Sequence, residues 1–185
     1  AKFGFGDALR VPMQVTPSVV PAQLNAPQTA QAAIGQYDVR VTPLQMAMVG
    51  AAIANKGIVM SPYLVKDTLN DHLDIIDKTS PTQLSQAISP DVAAALTRMM
   101  VTVVQSGTGT AAQIRGVTVA GKTGTAQHAT GSAPHAWFVA FAPADHPTIA
   151  VAVVVEDGGN AGSEAFGGKV AAPIARQVIL AAMKP

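Results

Sequence analysis

Val119-Ala-Gly121-Lys122-Thr123-Gly124-Thr125-Ala-Gln127 decides how the chain folds, because it sets a lysine and two threonine hydroxyls beside backbone that glycine leaves uncovered. Counted from Gly116, the run Gly116-Val-Thr-Val-Ala-Gly121-Lys122-Thr123 satisfies the P-loop pattern of a nucleotide-binding enzyme. Counted from Lys122, it is an extended strand with alternating polar side chains. A P-loop needs a flexible loop and then a helix whose N-terminus faces phosphate. Here the loop positions are Val117, Thr118, Val119 and Ala120, a mostly β-branched run that favours strand. Downstream, the residues from Gly124 to Pro134 are punctuated by glycine and cannot nucleate a helix. Glu156-Asp157 resembles the acidic strand end that holds magnesium in nucleotide enzymes. It reads instead as a strand ending at a Gly158-Gly159 turn. The strand reading stands, and the nucleotide reading survives only as a remote alternative.

Working outward from this strand, Val117 to Gln127, Ala136 to Ala142 and Ile149 to Val155 are three strand candidates. The connections at Thr130 to Pro134 and Pro143 to Pro147 are too short for parallel crossovers, so an antiparallel meander is expected. Helices flank it in the sequence. Pro43 to Lys56 begins with Thr42 as N-cap and Gln45 completing a capping box, and ends at Gly57. It is apolar on every side and must be buried. A second helix runs from Pro90 to about Gln105, capped by Ser89 and closed by Gly107, with Val92, Leu96, Met99, Met100 and Val103 as its inward stripe. A closing helix begins near Pro173 with Ile174, Val178, Ile179 and Ala182 inward. Val65 to Leu69 and His72 to Ile76 form a hairpin around Asn70-Asp71. Strands apolar on both faces between helices define an α+β class, an antiparallel sheet covered by helices on both faces.

Residues 1–33 are Pro-rich and charge-poor, without helical or alternating period, and read as irregular chain lying on the domain surface. At 185 residues and 49% apolar, the chain is one domain or a large part of one. No apolar run reaches the roughly 18 residues of a membrane span, and Lys2-Phe-Gly-Phe-Gly-Asp7 is too polar for a targeting segment. A formal net charge of +1 offers no footprint for nucleic acid. Cysteine is absent, which removes disulfides, a thiol nucleophile and cysteine metal ligands.

The ordered blocks resemble the transpeptidase domain of class B penicillin-binding proteins, of the actinobacterial penicillin-binding protein A type. Phe3-Gly-Phe-Gly6 is similar to the glycine-rich stretch after that family's second catalytic motif. Ala33-Ile-Gly-Gln-Tyr-Asp-Val-Arg-Val-Thr-Pro-Leu-Gln-Met-Ala47 resembles its Gly-Gln, Thr-Pro-Leu-Gln block, and Ser106-Gly-Thr-Gly-Thr-Ala111 the turn before the Lys-Thr-Gly strand. Ala136-Trp-Phe-Val-Ala-Phe-Ala-Pro143 and the later Gly167-Gly168 with Ala171-Ala-Pro173 complete the order. Tyr37 departs from it, standing where many relatives have glycine.

None of the eight serines has a lysine three residues on, so the nucleophile motif Ser-x-x-Lys is not within these residues. Ser89-Pro90-Asp91 formally fits the second motif but lies on the wrong side of Phe3-Gly-Phe-Gly6 and reads as a helix cap. The resemblance therefore implies that residues 1–185 are the C-terminal part of one transpeptidase domain whose nucleophile and second motif precede Ala1, and that the chain alone forms no acyl adduct with penicillin. It implies a D,D-transpeptidase cross-linking peptidoglycan stem peptides through an acyl-serine, using no cofactor or metal and binding β-lactam antibiotics. Partners would be the stem peptide or lipid-linked precursor, the preceding part of the same protein, and cell-division or elongation proteins. The place would be the extracytoplasmic face of the bacterial membrane, held by an anchor upstream. A noncatalytic β-lactam sensor on the same fold is the alternative.

Alternation puts Thr123, Thr125 and Gln127 on one side of the strand and Lys122 on the other, so Lys122 must curl around the strand margin to join them. Two hydroxyls on one side can donate to a carboxylate, and a lysine point charge favours an anion. Gly121 and Gly124 are expected to leave the ligand's approach clear. The resemblance assigns catalysis to Lys122 and Thr125 and substrate binding to Thr123, Gly124, Thr125 and Gln127. In it the Thr125 amide supplies half an oxyanion hole, where one donor is worth roughly 10²- to 10³-fold in rate. Taken alone, Lys122 to Thr125 is a polar sheet edge guarded by lysine.

His72, His128, His135 and His146 lack the i, i+4 spacing of metal ligands and read as surface or turn residues, with His128 and His135 bracketing the turn after the motif. Trp137 reads as core, Gln36 and Asp38 as loop-ordering groups, and Glu156 and Asp157 as solvent-facing.

Overall fold

The computed structural model describes residues 2–9, 11 and 13–184; the sequence expectations for Ala1, Arg10, Pro12 and Pro185 lie outside the described residues. Its centre is a three-stranded antiparallel sheet, β5 (Ala120–Ala126), β6 (His135–Ala142) and β7 (Ile149–Val155), in the order β5-β6-β7. Thr123 pairs with Phe138 and Phe138 with Val153, so one face carries Thr123, Phe138 and Val153 and the other Lys122, Val139 and Ala152. This is the expected meander, with β5 at one open edge.

Helices cover both faces. The helix α2 (Pro43–Ala54) packs on β6 and β7, and Gly50 lies against Val139. The opposite face is covered by α4 (Gly167–Ala182), whose small residues Ala171, Ala172 and Ala175 and the fully buried Ile179 meet Phe138, Ala140 and Ala142. Helix α3 (Pro90–Ser106) runs along β5, its Met100 packing with Ala120 and Phe141 and its Val104 with Phe138. The α+β arrangement is thus as read, but two helical stripes differ. In α3 the buried residues are Ala93, Met100 and Val104, while Val92 and Met99 are exposed. Helix α4 starts six residues before Pro173, at Gly167, and its inward stripe is Ala171, Ala172, Ala175 and Ile179, which leaves Ile174, Val178 and Ala182 outward.

The caps obey local chemistry. Thr42 Oγ1 accepts from the Gln45 amide at 3.1 Å and Ser89 Oγ from the Val92 amide at 3.3 Å. The capping box at Thr42 is only half formed, because the buried Gln45 side chain turns away and donates from Nε2 to the Phe3 carbonyl at 2.7 Å. That bond, with Ser18 Oγ accepting from the Thr42 amide at 3.1 Å, stitches the N-terminal segment to the start of α2. The segment is not irregular throughout. Ala26–Ala33 form helix α1 under a complete capping box between Asn25 and Gln28, with no buried residue of its own.

Residues 58–86 form two small antiparallel pairs. β1 (Ile58–Met60) pairs with β4 (Gln83–Gln86), and β2 (Asp67–Leu69) with β3 (Ile75–Lys78) across the expected turn, where Asn70 Oδ1 accepts from the amides of His72 and Asp74.

Candidate active-site edge

Among the described residues the side of β5 away from β6 has no strand partner, and its outward carbonyls meet side chains instead. Residues two apart direct their carbonyls the same way. Lys122 leaves the sheet on the α2 face, yet its Nζ turns back over the edge and donates to the Thr123 carbonyl at 2.7 Å. The expected curl around the strand margin is what the structure contains. At the next outward carbonyl, Thr125 O accepts from Gln36 Nε2 at 3.2 Å. Gln36, Tyr37 and Ile34, with Gln31 of α1, wall a groove of about 440 Å³ whose other side is Thr125 and Gln127. Gln36, expected to order its own loop, instead sends its side chain across to β5 and lines the groove. Tyr37 and Asp38 take left-handed φ values of 54° and 59°, and Gln28 Nε2 donates to the Tyr37 hydroxyl. The Asp38 carboxylate accepts two bonds from the Arg40 guanidinium, at 2.8 and 3.2 Å.

Thr123 and Thr125 share a side of the strand but not a setting. The Thr123 hydroxyl lies 2.7 Å from that of Thr108, in the turn after α3, and is half-buried, whereas Thr125 is exposed beside the groove. Thr108 was not singled out from the sequence, although it stands in the Ser106-Gly-Thr-Gly-Thr-Ala111 block. Gly121 and Gly124 serve packing and do not simply clear a ligand path. A Cβ on Gly121 would lie 2.5 Å from the Phe138 ring, and one on Gly124 3.1 Å from Trp137 Cβ. Behind them the N-terminus of α4 presses onto the strand. A Cβ on Gly167 would sit 2.0 Å from the Trp137 carbonyl and 2.9 Å from that of Gly124, and one on Gly168 2.0 Å from the Thr108 carbonyl.

The residues from Gly121 to Thr123 lie within a continuous strand, and β6 follows it, not a helix. The P-loop alternative is excluded. His72 and His146 are exposed and far along the chain from the edge. His128 and His135 are different: their rings stack with centroids 4.0 Å apart, at the end of the sheet where Asp157 also arrives. Asp157 is solvent-exposed as expected but has partners there, while Glu156 is simply exposed.

The family model for the penicillin binding protein transpeptidase domain matches residues 1–180, and the chain belongs to that family. Peptidoglycan D,D-transpeptidase PbpA of Mycolicibacterium smegmatis is 49% identical over 177 residues, covering 94% of this chain and 36% of the relative. The PbpA of Mycobacterium tuberculosis is 46% identical over 180 residues, covering 94% of this chain and 35% of its own length. Among solved structures, penicillin-binding protein A from M. tuberculosis in a ceftriaxone acyl-enzyme complex matches with a TM-score of 0.91 at 44% identity, over 99% of this chain and 42% of that one. The chain spans 36% and 35% of the lengths of these two curated relatives.

Proposed function

We propose that the protein to which these residues belong is a peptidoglycan D,D-transpeptidase acting through an acyl-serine, and that residues 1–185 form the C-terminal part of its single transpeptidase domain. The observation that carries this is the lysine on the open strand edge. Lys122 Nζ sits on the Thr123 carbonyl, two residues before Thr125, which borders the groove. An extended peptide or a ring-opened β-lactam can add to such an edge by backbone pairing while its carboxylate meets the hydroxyls. Lys122 supplies positive charge for that anion, Thr125 donates to it from its hydroxyl, and the Thr125 amide stabilises the oxyanion together with the amide of a nucleophilic serine outside this chain. Thr123 acts with Thr108, which shares its hydroxyl hydrogen bond. Gly124 keeps the strand flat against Trp137, and Gln127 borders the groove beyond Thr125.

Support for the reaction class comes from the relatives: the two mycobacterial PbpA proteins are named peptidoglycan D,D-transpeptidases, and penicillin-binding protein A of M. tuberculosis has been solved as acyl-enzyme complexes with ceftriaxone, imipenem and penicillin G. The substrates proposed for the whole protein are the stem peptide and lipid-linked precursor, with β-lactams as inhibitors and division or elongation proteins as partners. The proposed location is the extracytoplasmic face of the bacterial membrane, a reading that rests on the family; no helix among the described residues is long and apolar enough to cross a membrane. Labelling the full-length protein with fluorescent penicillin, then assaying transpeptidation on lipid-linked precursor, tests the proposal. Labelling with cross-linking supports it; labelling without cross-linking favours the sensor, and no labelling removes both.

A further inference from the structure

At the far end of the β5–β6 hairpin, three side chains that sequence spacing keeps apart converge. His128 follows β5, His135 opens β6, and Asp157 follows β7. One ligand atom from each lies within 4.8 Å of the others. Asp157 holds a left-handed φ of 51°, which brings its carboxylate back over the hairpin. His128 Nε2 is 2.9 Å from Asp157 Oδ1 and 3.1 Å from the Ala133 carbonyl. Both are oxygen acceptors, and a single N–H cannot point at both. His135 Nδ1 accepts the Asp157 amide hydrogen at 3.0 Å, so that nitrogen carries no proton, and it lies 3.8 Å from Asp157 Oδ1. One centre is thus surrounded by an unprotonated imidazole nitrogen, a carboxylate oxygen, a carbonyl oxygen and a second imidazole with one proton for two acceptors.

We propose that His128, His135 and Asp157 form a binding site for a borderline divalent cation of the zinc class. Two imidazoles and one carboxylate suit zinc better than calcium or magnesium, which take oxygen ligands. Bond lengths near 2.0–2.2 Å in a tetrahedron require ligand atoms about 3.3 Å apart, a spacing bracketed by the 2.9 and 3.8 Å observed. On binding, the His128 proton moves to Nδ1, keeping the ring neutral while Nε2 gives its lone pair to the metal. His135 Nδ1 exchanges the Asp157 amide for the metal, and the two rings splay from their stacked arrangement. The fourth position falls to water or to the Ala133 carbonyl. The ion would pin the turn after β5 to the loop after β7. This assignment does not depend on the transpeptidase reading.

Titration of the chelator-treated full-length protein with cobalt(II) and with zinc(II) tests the site. One equivalent of cobalt should give the intense visible bands of a tetrahedral centre, displaced by zinc, and zinc should raise the melting temperature. His128→Ala, His135→Ala and Asp157→Asn should each weaken zinc by more than the roughly 10- to 100-fold that losing an outer-shell partner costs. As a check that needs no variant, zinc should protect His128 and His135 of the unaltered protein, but not His72 or His146, from diethylpyrocarbonate. Failure of the unaltered protein to take up stoichiometric metal, or protection absent at His128 and His135, overturns the proposal and leaves the cluster a hydrogen-bonded clasp. Undiminished uptake in folded His128→Ala, His135→Ala double variant does the same.

Discussion

The central sheet and the β2–β3 hairpin are both rich in branched apolar residues, and they fare oppositely. In the sheet, Phe138 and Phe141 are 0% exposed, whereas in the hairpin region Leu73 is 77%, Ile76 64% and Ile75 57% exposed. Composition does not separate them; layering does. The sheet has α2 on one face and α4 on the other, while β2–β3 is a two-stranded ribbon whose Leu69, Ile75 and Ile76 stay exposed. A two-stranded ribbon is marginal by itself in water. The outer edge of β5, the candidate site, is intermediate, carried by the layered sheet but open along one side.

Five substitutions in the full-length protein test this ordering. Phe138→Ala should cost about 3–5 kcal/mol, read from urea denaturation, because it empties the centre of the larger core. Lys122→Ala should lower the second-order acylation rate by β-lactam by about one to two decades, the loss of a charge-assisted contact worth roughly 1.5–3 kcal/mol, with an unchanged melting temperature. A wild-type rate there would return the strand to a merely guarded edge. Gly167→Ala should destabilise by about 1–3 kcal/mol through overpacking against the Trp137 carbonyl, and stability at the wild-type level would show that α4 can stand off the strand. For Thr125→Val the expected loss in acylation rate is smaller, under about tenfold, since the amide stays and one neutral hydrogen bond is worth about 1 kcal/mol. That deficit should shrink for ligands without a carboxylate. Ile76→Ser should change stability by no more than about 0.5 kcal/mol. A core-sized penalty at Ile76 would mean that the hairpin is covered in the whole protein, and the contrast between the regions would fail.

Legibility followed the range of the interaction. Thr42, Ser89 and the Asn70 turn act within a few residues, and each was readable from the sequence. The meander was equally plain, since its connections are too short to do otherwise. Helix α1 was hidden because it buries nothing and rests on the Asn25–Gln28 box. The β1–β4 pair was hidden because its strands are very short and lie on either side of another hairpin. In α4 the inward stripe is alanine, so the larger Ile174 and Val178 misled by size. At the site, Lys122, Thr123 and Thr125 share β5, with Gln127 just past its end, and the four were found together. Gln36 reaches Thr125 across 89 residues, and Thr108 reaches Thr123 across 15, contacts that no spacing rule announces.

The glycines that open α4 also bear on how the edge responds to load. With no side chain between Gly167 and the backbone of Trp137 and Gly124, helix and strand are in direct main-chain contact, and packed main chain is nearly incompressible. An outward push on β5 from a bulky ligand cannot be absorbed by side-chain rotamers at that point. It must displace the helix as a body, or the strand must stay where it is. Stiffness of the edge is therefore set from behind, by Gly167 at the head of α4.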